Sequence, residues 1–259
     1  MIDPRTLYET PSWLLALVLL AILPIAIDTG FRLGRRKRAS GVTSGVGTLE
    51  AVVYGLFGLL LALTFSTVVS RADQRRAQVV EEVNAIGTAY LRADIAPEQL
   101  REELRAKMRA YVDVRVELAL STASDERAAV ARGQTLQREI WSTAVAFVRD
   151  HPQGAAYALI IEALNDMFDA QTSLDTALFA HVPTLVLLFL GLTAAVTAVV
   201  AGYALGFAGD RHVMATACFV ILTTLVAYMI IDLDRPRRGL FRVPVKALLE
   251  LQQSLRGGQ

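Results

Sequence analysis

Residues 51–70 read AVVYGLFGLLLALTFSTVVS, and residues 71–90 continue as RADQRRAQVVEEVNAIGTAY. The first half carries no charge over 20 residues, which at about 1.5 Å of rise per residue makes roughly 30 Å of helix, the thickness of a bilayer's hydrocarbon core. The second half is polar, yet its apolar residues recur at helical spacing and no proline or turn cluster precedes it. The pattern predicts one helix that crosses a membrane and continues into water.

Three further segments are apolar enough to cross a membrane, at about residues 13–27, 182–209 and 213–231. An apolar content of 54% and a mean hydropathy of +0.42 agree with a membrane protein. The sequence between the second and third segments has helical periodicity and no strand signal. We therefore predict an all-α polytopic membrane protein with four transmembrane helices and a helical domain, large enough for a small antiparallel bundle, between spans two and three.

The predicted organisation has four parts. They are spans one and two in residues 1–70, the helical extramembrane domain in residues 71–181, spans three and four in residues 182–231, and a C-terminal interfacial tail in residues 232–259. Within the middle domain, Pro97 and the acids after it predict a helix that runs to about Leu120. Ser124 is the expected N-cap of a second helix that ends near Val148, and a third is expected over residues 155–180.

Composition excludes several classes of function. A net charge of only +1 gives no overall field that would recruit nucleic acid. The sequence contains no nucleophile elbow, kinase signature, dinucleotide fingerprint or CxxC pair, so we expect no enzyme and no cofactor. The single cysteine, Cys218, and three isolated histidines, His151, His181 and His212, predict no metal site.

The second span carries a resemblance to a known family. The pattern runs through GLLLAL at residues 58–63, the hydroxyl residues that follow, an Arg pair at Arg75 and Arg76, and Asn84. It resembles the second transmembrane helix of bacterial bestrophins, and a weaker likeness follows the last span at residues 232–241. Bestrophins carry paired aromatic residues where this chain has Ala72 and Asp73, so the chain looks closer to the bestrophin-like family of bacterial four-span proteins. The resemblance implies a pore-lining second helix and a pentameric ring.

A stripe on the second span is the candidate pore lining. Leu59, Leu63, Ser66 and Ser70 fall at i, i+4, i+7 and i+11, so they share one helical face that changes from apolar to polar. This arrangement suits a pore with a hydrophobic gate and a wetted exit. The same residues would equally suit a stripe packed against spans three and four. The hydroxyls of Thr64, Ser66, Thr67 and Ser70 either bond their own helix carbonyls or face a water path.

Polar residues beyond the membrane exit form a second candidate. Glu81, Glu82 and Asn84 lie about three turns after the exit, and they are either a solvated face or a ring of acids that lines a vestibule. Asp232 and Asp234, beside Arg235, are expected to form local ion pairs or to cap the last span.

Asp28 is the one acid at the end of the first span. It is either an interfacial acid near Arg32 or part of a pathway through the protein. A basic run follows over residues 32–38 and is able to attract anionic lipid headgroups on whichever side it lies. In span three, small residues such as Gly202 and Gly206 predict close helix packing, either within one subunit or between subunits.

The balance of basic residues near the span ends bears on sidedness. Four spans place both termini and the middle domain on one face, where Arg5, Arg71, Arg75, Arg76, Arg235, Arg237, Arg238, Arg242 and Lys246 lie. The two short loops on the other face carry Arg32, Arg35, Arg36, Lys37, Arg38 and Arg211. The whole count favours a cytoplasmic middle domain, whereas the flanks of the first span favour the reverse. The family resemblance decides for a helical cytoplasmic domain in a multi-pass inner-membrane protein.

Two functions remain open from the residues. One is an oligomeric ion channel, a homo-oligomer in the lipid bilayer that conducts small ions through the stripe. The other is a membrane scaffold or sensor whose helical domain binds a partner. Stoichiometry separates them, since a closed ring of identical subunits encloses a central pore, whereas four helices of a monomer do not.

Overall fold

The computed structural model of the protein describes residues 10–40, 47–121, 126–151, 154–235 and 245–257. All regular secondary structure in these ranges is helical. Four helical segments are long and apolar enough to cross a membrane: Ser12–Ala39, Gly47–Ile95, Ala158–Ala208 and Val213–Leu233. The predicted all-α fold with four spans is therefore confirmed.

Eight α-helices and two short 3₁₀ turns make up the described residues. The α-helices are α1 (Ser12–Ala39), α2 (Gly47–Arg92), α3 (Glu98–Leu120), α4 (Glu126–Asp150), α5 (Ala158–Phe179), α6 (Thr184–Ala208), α7 (Val213–Leu233) and α8 (Lys246–Gly257). The 3₁₀ turns are Ala93–Ile95 and Ala155–Tyr157.

Helix α2 is continuous from its apolar half into its polar half. It contains 46 residues and no proline, and an acid, Glu50, lies in its first turn while Arg92 lies in its last. Both charges are placed favourably for the helix dipole. The prediction of one unbroken helix to about Arg92 is confirmed.

The helices of the middle region largely follow the predicted pattern. Helix α3 begins directly after Pro97 and ends at Leu120, as expected. The cap predicted at Ser124 lies outside the described residues. The next predicted helix, from residue 155, begins instead as the 3₁₀ turn, so that α5 itself starts at Ala158.

The chain divides into two compact units, Met1–Ala72 with His181–Arg242 and Asp73–Ala180 with Val243–Gln259. The first unit contains α1, the apolar half of α2, α6 and α7. Its buried apolar core includes Leu23, Phe57, Val68, Ala198 and Ile230.

The second unit is a helical bundle built from the polar half of α2 with α3, α4, α5 and α8. Its core contains Ile86, Leu104, Met108, Ile140 and Met167, all almost completely buried. Helix α8 was expected to be part of an interfacial tail, but Leu248 and Leu255 join this core.

Helices α1 and α6 approach each other so closely that glycine is required on both. A methyl group added at Gly30 or Gly34 would overlap the backbone of α6, and one added at Gly202 or Gly206 would overlap the backbone of α1. The small residues of span three therefore pack within one subunit at these positions. Gly191, in the same pattern, has open space around it.

Candidate functional site

The predicted stripe on α2 lies on a face that its own subunit leaves open. Leu59 and Leu63 are each 57% exposed, and Ser66 and Ser70 are exposed as well. Phe57 and Val68, on the opposite side of the helix, are buried in the core of the first unit. The stripe is therefore not packed against spans three and four, which was the premise of the alternative interpretation.

The hydroxyl groups of this segment separate into two sets. Thr64 donates to the carbonyl oxygen of Leu60 at 2.7 Å, and Thr67 donates to that of Leu63 at 2.8 Å. These two threonines bond their own helix, as such residues commonly do. Ser66 and Ser70 find no hydrogen-bond partner in the described ranges, and their hydroxyls are free to meet water or an ion.

The polar residues beyond the membrane exit differ in their exposure to solvent. Glu81 and Asn84 are exposed on α2. Glu82 is fully buried inside the second unit, and its carboxylate lies 2.6 Å from Nε of Arg115. A side chain buried within one subunit stays buried in any assembly, so Glu82 does not line a vestibule. Glu81 and Asn84 remain the vestibule candidates.

Glu82 belongs to a buried polar network that joins four helices. Arg115 of α3 pairs with Glu82 of α2 and, at 3.4 Å, with Asp175 of α5. Gln171 donates to Asp175, and Gln137 donates to Gln171 at 2.7 Å. Charge-assisted contacts of Arg115 tie α2, α3 and α5 together, and the bond between Gln137 and Gln171 adds α4.

Burial shifts the acid–base balance of this network. Desolvation raises the pKa of Glu82, although the nearby guanidinium of Arg115 partly opposes the shift. The second carboxylate oxygen of Glu82, away from Arg115, has no hydrogen-bond partner in the described residues. Burial alone would lower the pKa of Arg115, but the attraction of Glu82, Tyr111 and Asp175 outweighs it and raises that pKa, so the guanidinium stays charged.

Sequence reasoning did not single out Arg115. A signal was present, because Arg115 continues the apolar face of α3 one turn after Tyr111 and two turns after Met108. A charged residue in the middle of a buried stripe requires a partner. The partners themselves lie far away in the sequence.

Asp28 lies on α1, about three turns before the helix ends at Ala39, and faces Arg211 of the loop between α6 and α7. Its carboxylate is 2.7 Å from Nε of Arg32 and 3.0 Å from a terminal nitrogen of Arg211. The guanidinium of Arg211 also stacks over the ring of Phe31 at 4.2 Å. This geometry supports the interfacial interpretation of Asp28, with Arg211 as an added partner.

Asp234 ends the last span and also contacts the segment that precedes span three. It was predicted to pair locally or to cap the last span, and it is the C-cap residue of α7. Both of its carboxylate oxygens also accept the backbone N–H of Val182 at 3.1 Å, just before α6. His181 adds a contact from its ring nitrogen to the carbonyl oxygen of Asp234 at 3.0 Å. Asp234 thus ties the end of span four to the start of span three.

Metal binding finds no support in this geometry. Within the described ranges, no three His, Cys, Asp or Glu side chains come together in a way that would hold a metal ion.

Comparison with known proteins identifies one family. The sequence profile of the Bestrophin-like domain matches residues 15–248, which is most of the chain. The sequence has no significant match among curated proteins.

Solved structures with a similar fold include a bacterial bestrophin homologue from Klebsiella pneumoniae. A single-substitution variant of that protein has a TM-score of 0.74 and 15% sequence identity, with 96% of this chain and 99% of the other covered. A second structure of the homologue, phased with zinc, has a TM-score of 0.69 and 16% identity, with 94% and 97% covered.

Proposed function

This chain belongs to the bestrophin-like family, and from that premise we propose that it forms a homo-oligomeric channel for small ions. We place it in the inner membrane of a bacterium, with the second unit in the cytoplasm. A pentamer is the assembly that the family resemblance implies. The lipid bilayer and the other subunits are then its principal partners.

The exposed stripe on α2 is the observation that carries the proposal. Leu59 and Leu63 leave more than half of their surface uncovered, and a ring of subunits would bring equivalent stripes around one axis. The two leucines would form an apolar constriction that gates by excluding water. The free hydroxyls of Ser66 and Ser70 would coordinate an ion on the polar side of this constriction.

Glu81 and Asn84 extend the proposed path beyond the membrane. Both side chains are exposed and follow the stripe along the same unbroken helix. A ring of Glu81 carboxylates around the axis would raise the local concentration of cations.

Ion flux into liposomes tests the channel. Replacing Leu63 with Ala widens the apolar constriction without burying or removing a charge, so we expect a several-fold increase in leak. Leu225→Ala is the matched control, because Leu225 is 51% exposed on α7 and lies outside the stripe. Its flux is expected to match that of the wild type.

Two results would end the proposal. One is an unchanged flux for Leu63→Ala in an otherwise intact protein, which would favour the scaffold or sensor. The other is a monomer in detergent, because a single copy of α2 encloses no path.

A further inference from the structure

We propose that the first unit binds an anionic phospholipid, with its phosphate on Arg32 and Arg211 and an acyl chain in the cavity beside them. The cavity has a volume of about 400 Å³ and lies between α1, α6 and α7. This volume falls within the usual range of ligand pockets, roughly 300–1,000 Å³. The inference does not depend on ion conduction.

The lining of the cavity is apolar except at one end. Ile27, Val220 and Ile221 line its apolar part, while Asp28 and Arg211 stand at the polar end. Residues of this kind on membrane-crossing helices face hydrocarbon or protein. A phospholipid matches this lining, because its acyl chain suits the apolar part and its phosphate suits the polar end.

The two arginines at the polar end retain capacity for an anion. Asp28 takes one nitrogen of each, Nε of Arg32 and a terminal nitrogen of Arg211. A guanidinium has five N–H donors, so most of them remain available. Arg32 is 74% exposed and Arg211 is 59% exposed, so a headgroup has access to both.

The charge around this end favours an anion although Asp28 is present. Six cationic side chains lie within the loops and helix ends here, against three acids, Asp28, Asp210 and Glu50. The cations are Arg32, Arg35, Arg36, Lys37, Arg38 and Arg211. Asp28 is shared by two arginines, so its role is to orient them and not to repel the phosphate.

A second cavity in the same unit provides an internal comparison. Its volume is about 370 Å³, and its lining includes Leu15, Leu61, Leu187 and Ile231 but no charged side chain. That cavity is suited to hydrocarbon alone. Of these two cavities, the one beside Arg211 combines an apolar lining with a cation.

Native mass spectrometry of the purified full chain tests the site, with dioleoyl phosphatidylglycerol and dioleoyl phosphatidylcholine as probes. We expect the wild type to retain the anionic lipid in preference to the zwitterionic one. Arg211→Gln should lower retention of the anionic lipid about fivefold, the equivalent of ~1 kcal/mol for one cation near a membrane surface. Arg127→Gln, the same loss of charge on an exposed residue of the second unit, should retain it.

A second pair of variants tests the acyl chain and does not depend on the arginines. Ala217→Phe fills the cavity from an exposed position, whereas Ala215→Phe adds the same ring to an exposed position outside the lining. We expect only Ala217→Phe to lose the lipid. This pair tests whether the lipid occupies the cavity even if Arg211→Gln does not fold.

Three results would overturn the inference. Equal losses from Arg127→Gln and Arg211→Gln would mean diffuse attraction without a site. Full retention of the lipid by Ala217→Phe would show that the acyl chain does not occupy the cavity. Inorganic phosphate that displaces the bound lipid at equal concentration would show that the site recognises a free anion.

Discussion

Arg115 lies buried between the carboxylates of Glu82 and Asp175, and this triad joins three helices of the second unit. Removing two or three charges from water is costly, so the triad is tolerated only while each charge has its partner. Its value is greater for fixing the arrangement of the helices than for net stability. Substitutions of single members test this view.

We expect Arg115→Met to lower the free energy of unfolding by about 3–5 kcal/mol, because it leaves the fully buried carboxylate of Glu82, beside the half-buried Asp175, without a cation. Thermal or denaturant unfolding of the purified protein measures the change. Arg127→Met is the matched control, since Arg127 is exposed and substitutions at such sites usually stay within about 0.5 kcal/mol. Equal effects of the two variants would argue against a structural role for the triad.

The raised pKa of Glu82 predicts a pH dependence of stability. Its folded-state pKa lies above the ordinary value of 4.5, so the folded protein holds this proton more tightly than the unfolded chain does. Its contribution to the free energy of unfolding is therefore fully present below pH 4.5 and is lost as the pH rises through the raised pKa. Glu82→Gln should lack this decline.

The measurement is the difference in unfolding midpoint between wild type and Glu82→Gln, followed from below pH 4.5 to neutrality. The difference removes the contribution of all other acids that the two proteins share. A difference that stays constant over this range would contradict the assignment.

At the scale of the element, the helices were largely predictable and their partners were not. The course of α2 follows from an uncharged run, the absence of proline and an apolar period that continues to Tyr90. Local patterns of this kind are read directly from the sequence. The contact of Asp234 with the segment before α6 cannot be read in this way, because the acid and the backbone N–H of Val182 are far apart in the chain.

Glycines at the contact of α1 with α6 predict a sharp sensitivity to side-chain size. Gly202→Ala would place a methyl group on the backbone of Ile27, so the helices must separate, which we expect to cost about 1–3 kcal/mol. Gly58→Ala is the control, because Gly58 has open space around it. That control should be neutral or stabilising by up to about 1 kcal/mol, since alanine favours the helix. Unfolding in detergent measures both, and a neutral Gly202→Ala would disprove the tight contact.

At the scale of the molecule, the sequence predicted the fold class, the number of spans and the family, because each depends on long apolar runs and on one motif-bearing helix. The candidate stripe was predicted as a set of residues, but its exposure was not. Leu59 and Leu63 have the same composition and spacing whether they face spans three and four or a neighbouring subunit. Only the packing of the whole first unit separates these possibilities.

Sidedness is a prediction for the whole molecule. In a background with Cys218 replaced by Ser, a cysteine at exposed Ser142 should resist a membrane-impermeant thiol reagent in intact cells if the second unit is cytoplasmic. A cysteine at exposed Ser40, beyond the other end of the spans, should react. Lysed cells provide the control for reactivity at both positions. The opposite labelling pattern would reverse the topology.

The glycine contact between α1 and α6 forms only after α6 has been synthesised, well after α1. Gly34 and Gly202 are separated by about 170 residues, which a ribosome adding roughly 5–20 residues per second translates in about 10–35 s. Over that interval α1 resides in the bilayer with its glycine face uncovered by its final neighbour. A nascent chain that stops before α6 therefore leaves the glycine face of α1 without the helix that covers it in the complete subunit.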